Sequence, residues 1–124
     1  MTFIPYPEEE AQKSRLLLQA ALFRAQGQEE AAASLFAQAA ALEERLAERA
    51  DADGDSLRAA RSHFSAASAW ANAGDFYHAL ELLQAFERRT DTPEPLKARA
   101  RAFAETLRVQ RRQWQDTLLQ ASLT

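Results

Sequence analysis

An all-α fold is predicted for this chain by three observations. Alanine, leucine, glutamate, glutamine and arginine dominate its composition, and these side chains lose little rotamer freedom in a helix. Valine occurs once, at Val109, and isoleucine once, at Ile4, too few to build the half-buried faces of a sheet. Apolar residues recur at three- and four-residue spacing between a small number of sharp breakers. The 124 residues divide into an N-terminal extension (1–6), a first hairpin (7–50), a second hairpin (55–89) and a C-terminal helix (95–121), expected to form a single domain.

Pro7 suits a first helical turn, where its missing N–H has no partner to lose, and Glu8, Glu9 and Glu10 set negative charge at the positive end of the dipole. The first helix is expected from about Pro7 to Gln26, with Leu18, Leu22 and Ala25 as its apolar stripe and Gly27 as its stop. A second helix follows from about Gln28 to Ala50, with a stripe of Ala32, Leu35, Phe36, Ala39, Leu42 and Leu46. The stretch "DADGDS" (51–56) ends it, and Asp55 or Asp53 can cap the third helix by accepting backbone N–H bonds. That third helix carries Leu57, Ala60, Phe64, Ala67, Trp70 and Ala71 up to the Gly74–Asp75 turn. A fourth helix, about Asp75 to Arg89, shows Phe76, Ala79, Leu80, Leu83 and Phe86. After "TDTPEP" (90–95), Pro95 opens a fifth helix to about Ala121, bearing Leu96, Ala100, Phe103, Leu107, Trp114 and Leu118. Helices of this length are marginal alone and must bury these stripes against one another.

The two glycine turns superimpose when the chain is shifted by 74 − 27 = 47 residues. Ala20 then falls on Ala67, Phe23 on Trp70, Ala32 on Ala79 and Phe36 on Leu83. A small residue seven before each glycine lets two helices approach, and the aromatic four before it fills the space alongside. The pattern resembles the tetratricopeptide repeat over roughly residues 13–92, with the fifth helix resembling the solvating helix that closes such arrays. It departs from that family in its spacing, which is longer than the usual period of about 34 residues. Leu16 and His63 stand where the family's tryptophan is expected, and the closing proline is absent from the first unit and displaced to Pro93 in the second. The alternative is a plain five-helix bundle.

The resemblance implies a concave face lined by the first helix of each hairpin. That places Leu17, Ala21 and Arg24 from the first unit, with Arg61, Phe64, Ser68 and Asn72 from the second, in a groove for a protein or peptide partner. Arg24, Arg61 and Asn72 suit a peptide's carboxylate or backbone, and Leu17 and Phe64 an apolar contact. The competing reading makes Phe64 core and the groove too shallow. On the fifth helix Lys97, Arg101, Arg108, Arg111 and Arg112 form a basic stripe, suited either to an acidic partner or to solvated pairs with Glu43, Glu44 and Glu48 of the second helix.

Chemistry has little to work with. Cysteine is absent, which removes disulfides, thiolate ligands and thiol nucleophiles together. "DADGDS" lacks the glycine and terminal acid that a calcium loop needs at its sixth and twelfth places, and reads as a capped turn. His63 and His78 lie on different helices without metal-ligand spacing and are expected to be surface or satisfied groups. The net charge of −3 argues against nucleic acid, and no segment approaches the roughly 18 apolar residues of a membrane span. The start, "MTFIPYPEEE", lacks a signal-peptide pattern, and the preference for arginine over lysine fits a GC-rich bacterial genome. The expectation is a cytoplasmic, non-enzymatic adaptor or chaperone-like module without metal or cofactor, with a homodimer as a further possibility. Trp114 is expected to be the last core anchor of the fifth helix. If that helix projects beyond the hairpins, Trp114, Leu118, Leu119 and Leu123 instead form an exposed patch that marks an interface. Phe3, Ile4 and Tyr6 either pack on the array or reach a neighbour.

Overall fold

The computed structural model describes residues 6–123. They form five helices: α1 (Tyr6–Ala25), α2 (Glu29–Ala52), α3 (Ser56–Asn72), α4 (Phe76–Glu87) and α5 (Glu94–Leu123), with no strand among the described residues. Each helix begins and ends within two residues of its expected position, because the stop and start signals are local. Asp55 caps α3 by accepting from the Arg58 N–H (3.2 Å), and Asp75 caps α4 by accepting from the His78 N–H (3.0 Å). Gln28 stands at the same place before α2 without a side-chain cap bond.

The three short connections share one geometry. Gly27, Gly54 and Gly74 have φ of 77°, 76° and 88°, values that a side chain would strain. In each turn the residue after the glycine donates its N–H to a carbonyl five residues back: Gln28 to Phe23, Asp55 to Ala50 and Asp75 to Trp70, all at 2.9 Å. This is the Schellman termination, with the next helix starting at once. The turn at Gly54, expected to separate two units, is therefore the same turn that closes each of them.

Packing follows chain order, each helix lying mainly against its sequence neighbours. Side chains also link alternate helices. Arg24 of α1 bonds Asn72 of α3, and Phe64 of α3 meets Phe103 of α5 with ring centroids 5.8 Å apart. On the other side His78 of α4 reaches Glu44 of α2 (3.3 Å). So α1, α3 and α5 make one layer and α2 and α4 a second.

Fourteen of the 21 buried apolar residues are alanine, among them Ala20, Ala32, Ala67 and Ala79, the small positions of the 47-residue offset. Small side chains at these crossings bring the helix axes close, and a few large ones (Leu46, Leu83, Phe86, Leu107) fill what remains.

Three expected stripes need correction. Leu18 and Leu22 of α1 are 62% and 54% exposed and Ala25 is exposed, while Ala20 is buried and Leu17 and Phe23 pack inward. Apolar residues surround α1, and α2 covers only one side of it. Leu57 of α3 is likewise exposed. Trp114 is not a core anchor: it is 59% exposed, and Leu118, Leu119 and Leu123 beyond it are exposed too. The reason is length. At about 1.5 Å per residue, the 12 residues of α4 span about 18 Å and the 30 of α5 about 45 Å, so α4 covers α5 only as far as Leu107.

Candidate functional site

The layer of α1, α3 and α5 carries two neighbouring clefts with α3 as the ridge between them. The first, about 230 Å³, lies between α1 and α3; Lys13, Arg58, Arg61, Ser62 and Ser65 are among its lining, and Glu43 of α2 is its floor. The second, about 370 Å³, lies between α3 and α5 and is lined by Phe64, Ser68, Arg99, Ala102 and Phe103. Arg61, Phe64, Ser65 and Ser68 come at one-, three- and four-residue steps along α3, which places all four within about 100° of its surface.

The polar cleft has a buried carboxylate at its base. Glu43 is 3% exposed, and its Oε1 accepts no hydrogen bond among the described residues, with Lys13 Nζ 3.3 Å away. Burial pushes the Glu43 carboxyl above its ordinary range, against the downward pull of Lys13. Burial pulls the Lys13 ammonium down, but its bond to Glu10 and the negative charges of Glu43 and Glu10 outweigh this and raise it. At the mouth, Arg58 stacks over the Tyr6 ring (4.3 Å to the centroid), and Arg61 is exposed with no acidic partner among the described residues. In the second cleft Arg99 lies over Phe64 (5.4 Å to the centroid).

The predicted groove residues fall in different places. Arg61 and Ser68 line the two clefts; Ala21 is exposed, and Leu17 packs beside Ala20. Phe64 is shared: it lines the second cleft while its inner edge meets Phe86 at 6.1 Å. Arg24 and Asn72 are engaged with each other. Arg24 donates to the Asn72 side chain (3.2 Å) and carbonyl (2.6 Å), pairs with Glu29 (3.3 Å) and lies over Phe36. That cluster joins the C-terminal ends of α1 and α3, and Arg58 over Tyr6 joins their N-terminal ends.

Lys13, Arg58 and Arg99 escaped the sequence reading, which placed Glu43 only as a pair for the α5 basic stripe and Phe103 only in the α5 apolar stripe. Lys13 and Glu43 are thirty residues apart, and no local pattern joins them. Arg58 with Arg61 at i, i+3 was the one available signal.

The basic stripe of α5 does not pair with α2, because α5 packs on α4. Glu43 is held by Lys13, and Glu44 accepts from the Trp70 indole (2.7 Å) beside His78, which stacks on that indole at 4.2 Å. Arg101 instead pairs with Glu94 (2.6 Å) and Glu87 (4.0 Å), and Arg108 and Arg112 share Glu105. Lys97 and Arg111 are half-buried, and Lys97 adds its charge to that of Arg101 near Glu94.

His63 meets Asp51 (3.1 Å), and Arg89 grips the same carboxylate through two nitrogens (2.8 and 3.1 Å). The Arg89 bond holds the Asp51 carboxyl down at about 2. This cluster ties the C-terminal ends of α2 and α4 to the middle of α3. Tyr6 packs on the array, its hydroxyl donating to Asp53 (2.6 Å); Phe3 and Ile4 lie outside the described residues. Among the described residues no cluster of histidines and acids could hold a metal, and no helix is long and apolar enough to cross a membrane. No family model, no curated protein and no solved structure matches this chain.

Proposed function

We propose that the chain is a non-enzymatic helical adaptor or chaperone-like module that binds a segment of another protein across its α1–α3–α5 face. The observation carrying this reading is the pair of adjoining clefts on α3, one polar and one aromatic, with three guanidinium groups at their edges. An extended peptide with an acidic side chain can meet Arg58 and Arg61, while a large apolar side chain a few residues away meets Phe64 and Phe103 under Arg99. Charge-assisted bonds set orientation and the apolar contact adds affinity. The resemblance to tetratricopeptide arrays favours the same face, and neither cofactor nor metal enters this role.

A displayed library of random twelve-residue peptides tests the reading. Peptides combining acidic and aromatic or large aliphatic residues are expected to enrich on the wild-type protein and to lose at least tenfold in affinity on the Arg61→Glu/Arg99→Glu variant. Enriched peptides that bind that variant equally well would refute it. A second reading, a self-associating subunit in a bacterial cytoplasm, draws support from the uncovered half of α5.

A further inference from the structure

Two faces at opposite ends of the array share one pattern. Along the outer side of α1 stand Ala11, Arg15, Leu18 and Leu22, all exposed. Along α5, Leu107, Arg111, Trp114 and Leu118 follow at the same steps of four, three and four, continuing the side that α4 covers only up to Leu107. Steps of this kind make a straight apolar seam, the pattern by which two helices pack along their length. In a protein with 27% charged residues, the Leu18–Leu22 half of the first seam is edged by Gln19 and Gln26 and the second seam by Gln110, Gln115 and Thr117, whereas Ala11 and Arg15 border a cleft of about 860 Å³ lined by Glu8, Glu9, Arg45, Glu48 and Arg49. Depletion of charge around large apolar residues, with arginine retained, is the composition of an interface core.

The two faces also differ as hole and knob. Beside the α1 seam an apolar cleft of about 440 Å³ opens between Gln19, Leu22, Phe23, Gln26 and Leu35. The α5 seam offers Trp114, whose burial removes on the order of 150–250 Å² from water and which suits a central anchor. We propose that two copies of the chain clasp each other, the projecting half of α5 in each lying antiparallel on the outer face of α1 in the other, with Trp114 in the Leu22–Phe23–Leu35 cleft.

Charge sets the direction. Parallel alignment of the matching steps opposes Arg15 to Arg111; antiparallel alignment with Trp114 at the cleft sets Trp114 against Leu22, Leu118 against Leu18, Arg111 against Ala25 and Arg15 against Ala121. Area sets the symmetry. A stretch such as Ala11–Ala25 is about 22 Å long and about 10 Å wide, so one contact covers roughly 220 Å² per side and roughly 440 Å² in all. Two reciprocal contacts related by a two-fold axis give about 900 Å², just under the roughly 1,000 Å² of a stable specific interface and so fitting a weak dimer, whereas a single contact gives less than half of it. The clasp leaves the α1–α3–α5 face open and does not depend on what that face binds.

Sedimentation equilibrium on the full chain tests this. Wild type is expected to pass from 13.9 kDa toward 2 × 13.9 = 27.8 kDa as its concentration rises through the micromolar range. Leu18→Glu/Leu22→Glu and Trp114→Glu/Leu118→Glu change exposed residues and are expected to remain helical by circular dichroism while staying monomeric. Mixed one to one, each supplies the face the other lacks, and a heterodimer at least tenfold weaker than the wild-type dimer is expected. A wild type monomeric throughout that range overturns the proposal. So does a dimer that survives the α1 changes and fails only on the α5 changes, which is pairing of α5 with α5. Loss of the dimer with retained peptide selection would separate the clasp from the adaptor reading.

Discussion

Leu107 and Trp114 stand seven residues apart on one side of α5, yet they are expected to respond oppositely to truncation. Leu107 is 2% exposed and is the last residue of α5 within the core formed with α4. Its neighbours there include Ala100 and Ala104, whose side chains are too short to swing into a vacated space. Leu107→Ala therefore loses the transfer free energy of the removed carbons and leaves a cavity, a combined cost of about 2–5 kcal/mol. Taking about 3 kcal/mol, and a urea slope of about 1.5–2 kcal/mol per molar for a chain of this size, the unfolding midpoint falls by about 1.5–2 M. Trp114→Ala removes a larger side chain, but one that is 59% exposed and shielded only by its own helix, so a change within about 0.5 kcal/mol is expected. Urea unfolding followed by circular dichroism, at a concentration where sedimentation shows monomer, gives both values. A Trp114→Ala midpoint as low as that of Leu107→Ala would refute the conclusion that the core of α5 ends at Leu107.

Acid should loosen the junction of α2, α3 and α4. The Asp51 carboxyl sits at about 2 against an ordinary 3.8, so it stabilises the fold above pH 3.8 and loses that contribution as pH falls through about 2. A lowering of that size corresponds to no more than about 2 kcal/mol, and with the Asp51 side chain 40% exposed, screening reduces the expected effect to about 1 kcal/mol. Asp51→Asn should lower stability at pH 7 by that amount and flatten the acid limb of a urea-midpoint profile; an unchanged limb would place the acid sensitivity elsewhere. At the start of α2, Gln28 leaves the N-cap unused where Asp55 and Asp75 use theirs, so Gln28→Asp should raise the thermal midpoint by the equivalent of about 1 kcal/mol. No rise would mean that the backbone there holds the side chain away from the first turn.

The helices were legible in the sequence because their boundaries are written locally. Gly27, Gly54 and Gly74 supply positive φ, Asp55 and Asp75 accept first-turn N–H bonds, and Pro95 opens α5, each acting within a few residues of itself. The small positions Ala20, Ala32, Ala67 and Ala79 were equally readable, since a regular spacing of alanine has little use except at close helix crossings. The clefts were half legible: Arg61, Phe64 and Ser68 follow from the periodicity of α3, whereas Lys13 over Glu43 and Arg99 over Phe64 join helices distant in the chain.

The sequence by itself determined how many helices there are, where they turn and which small residues let them touch. Only the tertiary structure decided which side of each helix is covered. Leu16, Leu17 and Leu18 are consecutive and equally apolar, and the position of α2 alone leaves Leu18 in water. Leu107 and Leu118 lie on one seam, and the length of α4 alone buries the first and exposes the second. Helix propensity and capping act through nearest neighbours along the chain, while burial depends on which segment arrives from elsewhere.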